Sequence, residues 1–148
     1  MHIGNARGGA IGDCLASVLD WAGYSVNREF YVNDAGNQIE KFATSLEVRY
    51  LQHFDCSVEL PEDAYHGQDI VDHAENFIAE YGDKYVNAQS SERRKALVDY
   101  ALPKNIAGLE KDLGRYRITY DKWFRESTLH NDGSVKKVID ALEEKGVT

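Results

Sequence analysis

Apolar side chains along this chain recur mostly at helical spacing, beginning near its start. Ile11, Leu15, Val18, Leu19 and Ala22 share one face of a helix, so the spacing predicts a helix that buries that face and ends at Gly23 in a left-handed cap. The run Val26 to Val32 mixes β-branched and aromatic residues and closes on Asn33-Asp34-Ala35-Gly36, which predicts a strand and then a turn. A second helix is expected from about Gly36 to about His53, with Ile39, Phe42, Ala43, Leu46, Tyr50 and Phe54 on one side. Asp55 to Pro61 reads as a linker or short extended piece, and Pro61-Glu62-Asp63 as a turn. A third helix is expected over Gln68 to Tyr81, bracketed by Gly67 and Gly82. A fourth helical region covers about Ser91 to Leu113, and Pro103 should bend or split it near Ala101-Leu102. A second strand follows at about Tyr116 to Trp123. Asp132-Gly133-Ser134 then makes a turn with Ser134 as N-cap, and Val135, Val138, Ile139 and Leu142 mark a last helix.

Helix, loop, strand, turn, helix is the rhythm of a βαβ unit. It predicts a parallel pair with a right-handed crossover and a ligand crevice at the carboxyl ends of the strands. Asn33, Asp34 and Gln38 sit at that end of the first strand, although Asn33 or Asp34 is read more simply as the cap of the next helix. With two internal strands the sheet is small and incomplete. Its exposed edge could pair with a second copy of the chain, giving a homodimer.

The 148 residues suit a single domain, 1–148, and 43% apolar with 28% charged residues is ordinary for a soluble globular protein. No apolar run reaches the length of a membrane span, and no signal peptide is visible. Cys14 and Cys56 share no metal-ligand spacing and read as reduced, buried or half-buried thiols of a cytoplasmic protein. With 25 acidic against 17 basic residues, the net charge of −8 predicts weak nucleic-acid binding by this chain alone.

Candidate chemistry gathers at the beginning, in His2-Ile3-Gly4-Asn5-Ala6-Arg7-Gly8-Gly9-Ala10-Ile11-Gly12-Asp13. A helix whose first turn is glycine-rich exposes backbone N–H groups at the positive end of its dipole, an arrangement that favours phosphate. His2 adds an imidazole, Asn5 an amide and Arg7 a fixed cation. The same glycines also fit a helix packed closely against a sheet, and the residues alone leave both readings open.

This stretch resembles the first signature of class I aminoacyl-tRNA synthetases, His-x-Gly-His, and more narrowly that of the arginyl-tRNA synthetases. Arg28-Glu29-Phe30-Tyr31-Val32-Asn33-Asp34-Ala35-Gly36-Asn37-Gln38 and, more weakly, Trp123-Phe124-Arg125-Glu126-Ser127 extend the likeness. Asn5 departs from it, standing where the general signature has its second histidine; an amide donates to a phosphate oxygen but carries no charge. The resemblance implies an incomplete Rossmann-type α/β domain, helix-rich with a small parallel sheet. It implies ATP-dependent activation of arginine to arginyl-adenylate and transfer to tRNA(Arg), with Mg²⁺ bound alongside ATP. His2 and Asn5 would be catalytic, and His2, Gly4, Asn5 and Gly8 would hold ATP. Asn33, Asp34 and Gln38 would border the substrate. By this reading no metal is held directly, and no lysine-rich second signature is present. The chain is therefore expected to be a catalytic-domain fragment truncated at both ends and inactive alone. The alternatives are a non-enzymatic interaction module with a synthetase-like fold and some other nucleotide-binding α/β protein.

Other motifs add little. His53, His66, His73 and His130 read as surface histidines, and Arg93-Arg94-Lys95 as a solvated helical face rather than an RNA contact. Tyr81, Tyr85, Tyr100, Tyr116 and Tyr120 read as core or interface residues.

Overall fold

The computed structural model describes residues 3–54 and 57–147. His2 and Cys56 lie outside them, as does the start of the expected linker. The described residues form α1 (Ile3–Trp21), β1 (Glu29–Val32), α2 (Gly36–Phe54), α3 (Gln68–Tyr81), α4 (Ser90–Arg115), β2 (Lys122–Arg125), α5 (Ser127–Asn131) and α6 (Ser134–Glu144). The strands pair in parallel, with Phe30 opposite Trp123 and Val32 opposite Arg125. The expected class is what the structure has: a helix-rich α/β fold with a small parallel sheet. The chain divides into two compact units, residues 37–112 and residues 3–36 with 113–147.

The first unit is a three-helix packing with a closed core. Phe42, Leu46 and Tyr50 from α2, Ile70 and Phe77 from α3, and Leu97 and Ala101 from α4 form one buried cluster. Tyr50 is fully buried, and its hydroxyl donates to the Gly82 carbonyl at 2.9 Å while accepting the Tyr85 N–H at 3.2 Å, so its polar tip is satisfied. Burial pushes the pKa of that phenol up. α3 ends at Gly82, whose φ of 57° lies in the region glycine tolerates best.

A buried charge cluster joins α2 to α4 in this unit. Glu47 accepts from Ser90 Oγ at 2.7 Å, Arg93 Nε at 2.9 Å and Arg94 Nε at 2.6 Å. Arg93 Nη1 donates to the carbonyls of Tyr85, Val86 and Ala88, each at 3.0 Å, tying down the segment that leads into α4. Burial raises the Glu47 pKa, but the hydrogen bonds from Arg94, Ser90 and Arg93 outweigh it and hold the carboxyl below its ordinary value. The basic triplet is thus no solvated face: Arg93 is buried and Arg94 is paired, while Lys95 stays exposed against Asp99. α4 also runs unbroken through Pro103 instead of splitting.

The second unit holds α1, the two strands, α5 and α6. Phe30, Tyr120 and Trp123 pack on one another with ring centroids 4.6 to 5.7 Å apart. Ala6, Gly9, Val32, Leu113 and Ile118 are buried there. The second strand begins later than its composition suggests. Arg117 takes a left-handed φ of 63°, so the chain still turns at Tyr116 and Arg117 and β2 opens only at Lys122, while Ile118 between them is buried. Ser134 is the first residue of α6 and not its cap: Gly133 holds the cap position at φ 75°, and Asp132 accepts the Ser134 N–H at 2.8 Å. Hydrogen bonds from the side chain and backbone of Ser134 lower the Asp132 pKa.

Candidate functional site

α1 begins at Ile3, earlier than the glycine content suggests, so Gly4 and Asn5 lie in its first turn and Gly8 and Gly9 in its second. Each glycine costs a helix about 1 kcal/mol relative to alanine. Packing repays that at Gly9, where a Cβ would stand 3.2 Å from Ile118 Cδ1 and 3.3 Å from Leu113 Cδ2. Gly9 thus packs closely, but against Leu113 of α4 and Ile118 ahead of β2 rather than against a strand of the sheet. Gly8 is different: nothing lies within 4 Å of the place a Cβ would take, and the backbone there is open to approach. Asn5 is half-buried, and Gly4 and Gly8 are exposed. The first turn of a helix lies at the positive end of its dipole, so Gly4 and Asn5 occupy the part of α1 suited to an anion.

The carboxyl ends of the parallel strands carry the second group of candidates. Asp34 follows β1, and its side chain is buried. It accepts the Ser127 N–H and the Ser127 hydroxyl, each at 2.8 Å, and pairs with Arg125 Nη1 at 3.7 Å. Asp34 thus accepts the N–H and hydroxyl of the first residue of α5, an element not expected from the sequence, and joins the ends of β1 and β2. The Glu126 N–H donates to the Val32 carbonyl at 3.0 Å, continuing the ladder past the strands. Tyr31 is nearby, its phenol pKa raised first by burial and then by Glu126 and Asp34. Asn33 is exposed beside this cluster, whereas Gln38 lies on α2 in the first unit. At the opposite end of β1, the Arg28 N–H donates to Asp121 at 2.7 Å, and Arg28 Nε stands 3.6 Å from Asp13 on α1.

The structure thus brings Asp34, Arg125 and Ser127 together. Sequence reasoning missed the roles of Arg125 and Ser127, although both lie in the weakly family-like run Trp123 to Ser127. Cys14 is exposed rather than buried, because it faces away from the packed side of α1. Tyr120 is raised in pKa by burial and then by Asp13. Among the described residues no group of three or more His, Cys, Asp or Glu side chains could hold a metal ion. No described helix is long and apolar enough to cross a membrane.

Comparison with known proteins gives this arrangement a context. The family profile described as tRNA synthetases class I (R), catalytic domain, matches residues 1–147. A protein named Arginine–tRNA ligase from Caldanaerobacter subterraneus subsp. tengcongensis is 60% identical over 148 residues, which are 100% of this chain and 26% of that protein. One of the same name from Acetivibrio thermocellus is 57% identical over 150 residues, 100% of this chain and 27% of its own length. A crystal structure bearing the name arginyl-tRNA synthetase, from Campylobacter jejuni, superimposes with a TM-score of 0.81 at 31% identity, covering 97% of this chain and 31% of that one. The chain spans about a quarter of the length of these curated relatives. With nearly every residue matched by the profile, the chain belongs to the class I tRNA synthetases, in the catalytic-domain family of the arginine type.

Proposed function

We propose that the chain is part of the catalytic domain of an arginine–tRNA ligase, which activates arginine with ATP and passes the arginyl group to tRNA(Arg). The observation that carries this reading is 60% identity over all 148 residues, 26% of the relative's own length, to a protein of that name. Such a reaction needs no covalent bond to the protein. Catalysis consists of holding the arginine carboxylate in line with the α-phosphate of ATP and stabilising charge as pyrophosphate departs.

In this reading Gly4 and Asn5 in the first turn of α1, with His2 before them, face the ATP phosphates, and the open flank of Gly8 admits the nucleotide. The helix end supplies N–H donors and its dipole. Asn5 donates a neutral hydrogen bond where a histidine could carry charge, so neutralisation falls to the dipole, to His2 and to Mg²⁺. The ion arrives with the nucleotide, since Mg²⁺ is usually held by phosphate oxygens and waters with few protein ligands. Asp34 reads better as a positioning residue than as a substrate ligand, because its oxygens are engaged by Ser127 and Arg125. Asn33 and Gln38 remain the candidates for contacts to substrate. A Rossmann-type crevice would place ligands at the carboxyl ends of β1 and β2.

The test is an ATP titration of the chain with Mg²⁺, read as amide shifts in NMR. Saturable shifts confined to Gly4 through Asp13 are the expected result, and a folded chain in which those amides do not move would remove the phosphate role from α1. In a protein of the relatives' length, Asn5→Ala and His2→Ala should each weaken ATP binding by about 1 to 3 kcal/mol, the range for losing a hydrogen bond to a charged group.

A further inference from the structure

The end of α3, the turn that follows it and one side of α4 line a cleft of about 640 Å³ in the first unit. The buried Phe77 lies at its base, with ring centroids 4.7 Å from Tyr81, 5.6 Å from Tyr85 and 5.3 Å from Tyr100. Tyr81 stands between the other two tyrosines, 6.2 Å from Tyr85 and 6.0 Å from Tyr100. Each pair meets edge to face, at 67° and 86°, so the tyrosine faces are not stacked away on one another. These faces already hold ammonium groups of the chain itself. Lys104, one turn beyond Tyr100 on α4, places its Nζ 3.1 Å from the Tyr100 ring centre, and Lys84 Nζ lies 5.0 Å from that of Tyr85. Such contacts follow from the negative face of the ring quadrupole. Carboxylates complete the lining. Glu80 accepts a hydrogen bond from the Tyr81 hydroxyl, Asp99 neutralises Lys95, and the exposed Glu92 has no cationic partner among the described residues.

We propose that this cleft binds a linear polyamine, a ligand separate from the nucleotide and the amino acid. A lysine side chain is a butylammonium, so Lys104 on Tyr100 and Lys84 on Tyr85 display the chemical fragment that the ring faces accept. A polyamine carries several such fragments in a row. Its methylenes would lie along the tyrosine rings while its ammoniums reach Glu92 and Glu80. The volume falls within the range of about 300 to 1,000 Å³ usual for small-ligand sites. A net charge of −8 raises the local concentration of polycations around the chain. A nucleotide suits the rings less well, because its phosphates would meet Glu80, Glu92 and Asp99. Lys104 is then a built-in competitor, an exposed side chain that leaves Tyr100 when the ligand arrives. The inference does not depend on the function proposed above.

The test titrates spermidine into the 148-residue chain at low ionic strength and follows tyrosine ring and backbone amide resonances by NMR. Mg²⁺ at equal charge and free arginine are run in parallel. Saturable spermidine shifts centred on Tyr81, Tyr85 and Tyr100, with α1 unmoved, are the expected result. Shifts that never saturate, or that Mg²⁺ reproduces, reveal a diffuse counterion atmosphere and overturn the proposal. If arginine moves the same resonances at lower concentration than spermidine, the ligand is a guanidinium and the polyamine is rejected. Lys104→Ala removes the competitor from an exposed position and should tighten spermidine binding about three- to fivefold, the equivalent of one exposed cation–π contact. Lys111→Ala deletes the same charge from α4 outside the cleft and should change the affinity less. Equal gains in the two variants would reduce the effect to net charge and overturn the proposal, as would a Lys104→Ala variant that binds no more tightly. Glu92→Gln, also at an exposed position, should weaken binding; unchanged affinity there removes the carboxylate contact on which the pose depends.

Discussion

Residues 37–112 close their core, while residues 3–36 with 113–147 leave much of their apolar surface in water. In the first region each of three helices contributes to one buried cluster, and the charges drawn inside are satisfied by several partners. In the second, Ile11, Leu15 and Val18 of α1 and Val138, Ile139 and Leu142 of α6 are exposed, and its sheet has two strands. The difference shows that period and burial are separate properties. A helical stripe specifies which residues share a face, and a partner decides whether that face is buried. Both tryptophans, Trp21 and Trp123, lie in the second region, so their fluorescence reports on it alone. Amide exchange in α2 to α4 reports on the first.

The sharpest break in the comparison would come from Glu47. Glu47→Ala strands the buried Arg93 beside the Ser90 hydroxyl and should cost about 3 to 5 kcal/mol, the range for removing one partner of a buried ion pair. Exchange protection in α2 and α4 should fall accordingly while the tryptophan transition in urea keeps its midpoint. Coincident losses in both probes would show that the two regions unfold as one. Leu46→Ala, at a fully buried position of the same helix, should cost about 2 to 5 kcal/mol with the same division between probes.

Acid should divide the regions in the same sense. The Glu47 pKa is depressed in the folded state, so its contribution is complete above the ordinary glutamate value and fades as pH falls from there through the lower folded value. Exchange protection in α4 should therefore decline below about pH 4.3, the unperturbed glutamate pKa. Glu47→Ala should flatten that part of the profile, and an unchanged profile would mean that other carboxylates control the acid loss.

How far the sequence foretold this structure follows from the same contrast. The bounds of α3 were legible because Gly67 and Gly82 punctuate a full apolar stripe, and α2 because Ile39, Phe42, Ala43, Leu46 and Tyr50 repeat toward a core that exists within the chain. The open face of α1 was legible as a face but not as open. Arg93 looked like one of three solvated charges, since nothing local reveals that Glu47, 46 residues earlier, waits for it. α5 has five residues, too few to show a period, and the acceptor of its first N–H is Asp34, 93 positions earlier. Among the glycines of α1, Gly9 is closely packed while Gly8 and Gly12 face open space, a difference that the sequence, in which the three look alike, does not show.

Asp34→Ala tests the long-range cap. It removes the acceptor of the Ser127 N–H and hydroxyl and should cost about 1 kcal/mol, the usual value for an N-cap. The loss should register in tryptophan fluorescence, since Trp123 precedes the capped helix on β2, and should leave α2 to α4 exchange unaltered. An effect on α2 exchange instead would restore the cap to the helix that follows Asp34 in sequence.

The smallest effect discriminates between the glycines of α1. Gly12→Ala adds a methyl group where nothing lies within 4 Å, so it should gain the helix preference of alanine, about 0.5 to 1 kcal/mol, with no packing cost. Gly9→Ala offers the same gain but brings its Cβ to 3.2 Å from Ile118 Cδ1 and 3.3 Å from Leu113 Cδ2. Those are ends of flexible side chains, which can give way by a few tenths of an ångström at some loss of packing. Gly9→Ala should accordingly fall below Gly12→Ala in urea midpoint read by tryptophan fluorescence. Equal gains would mean that the contact around Gly9 is loose.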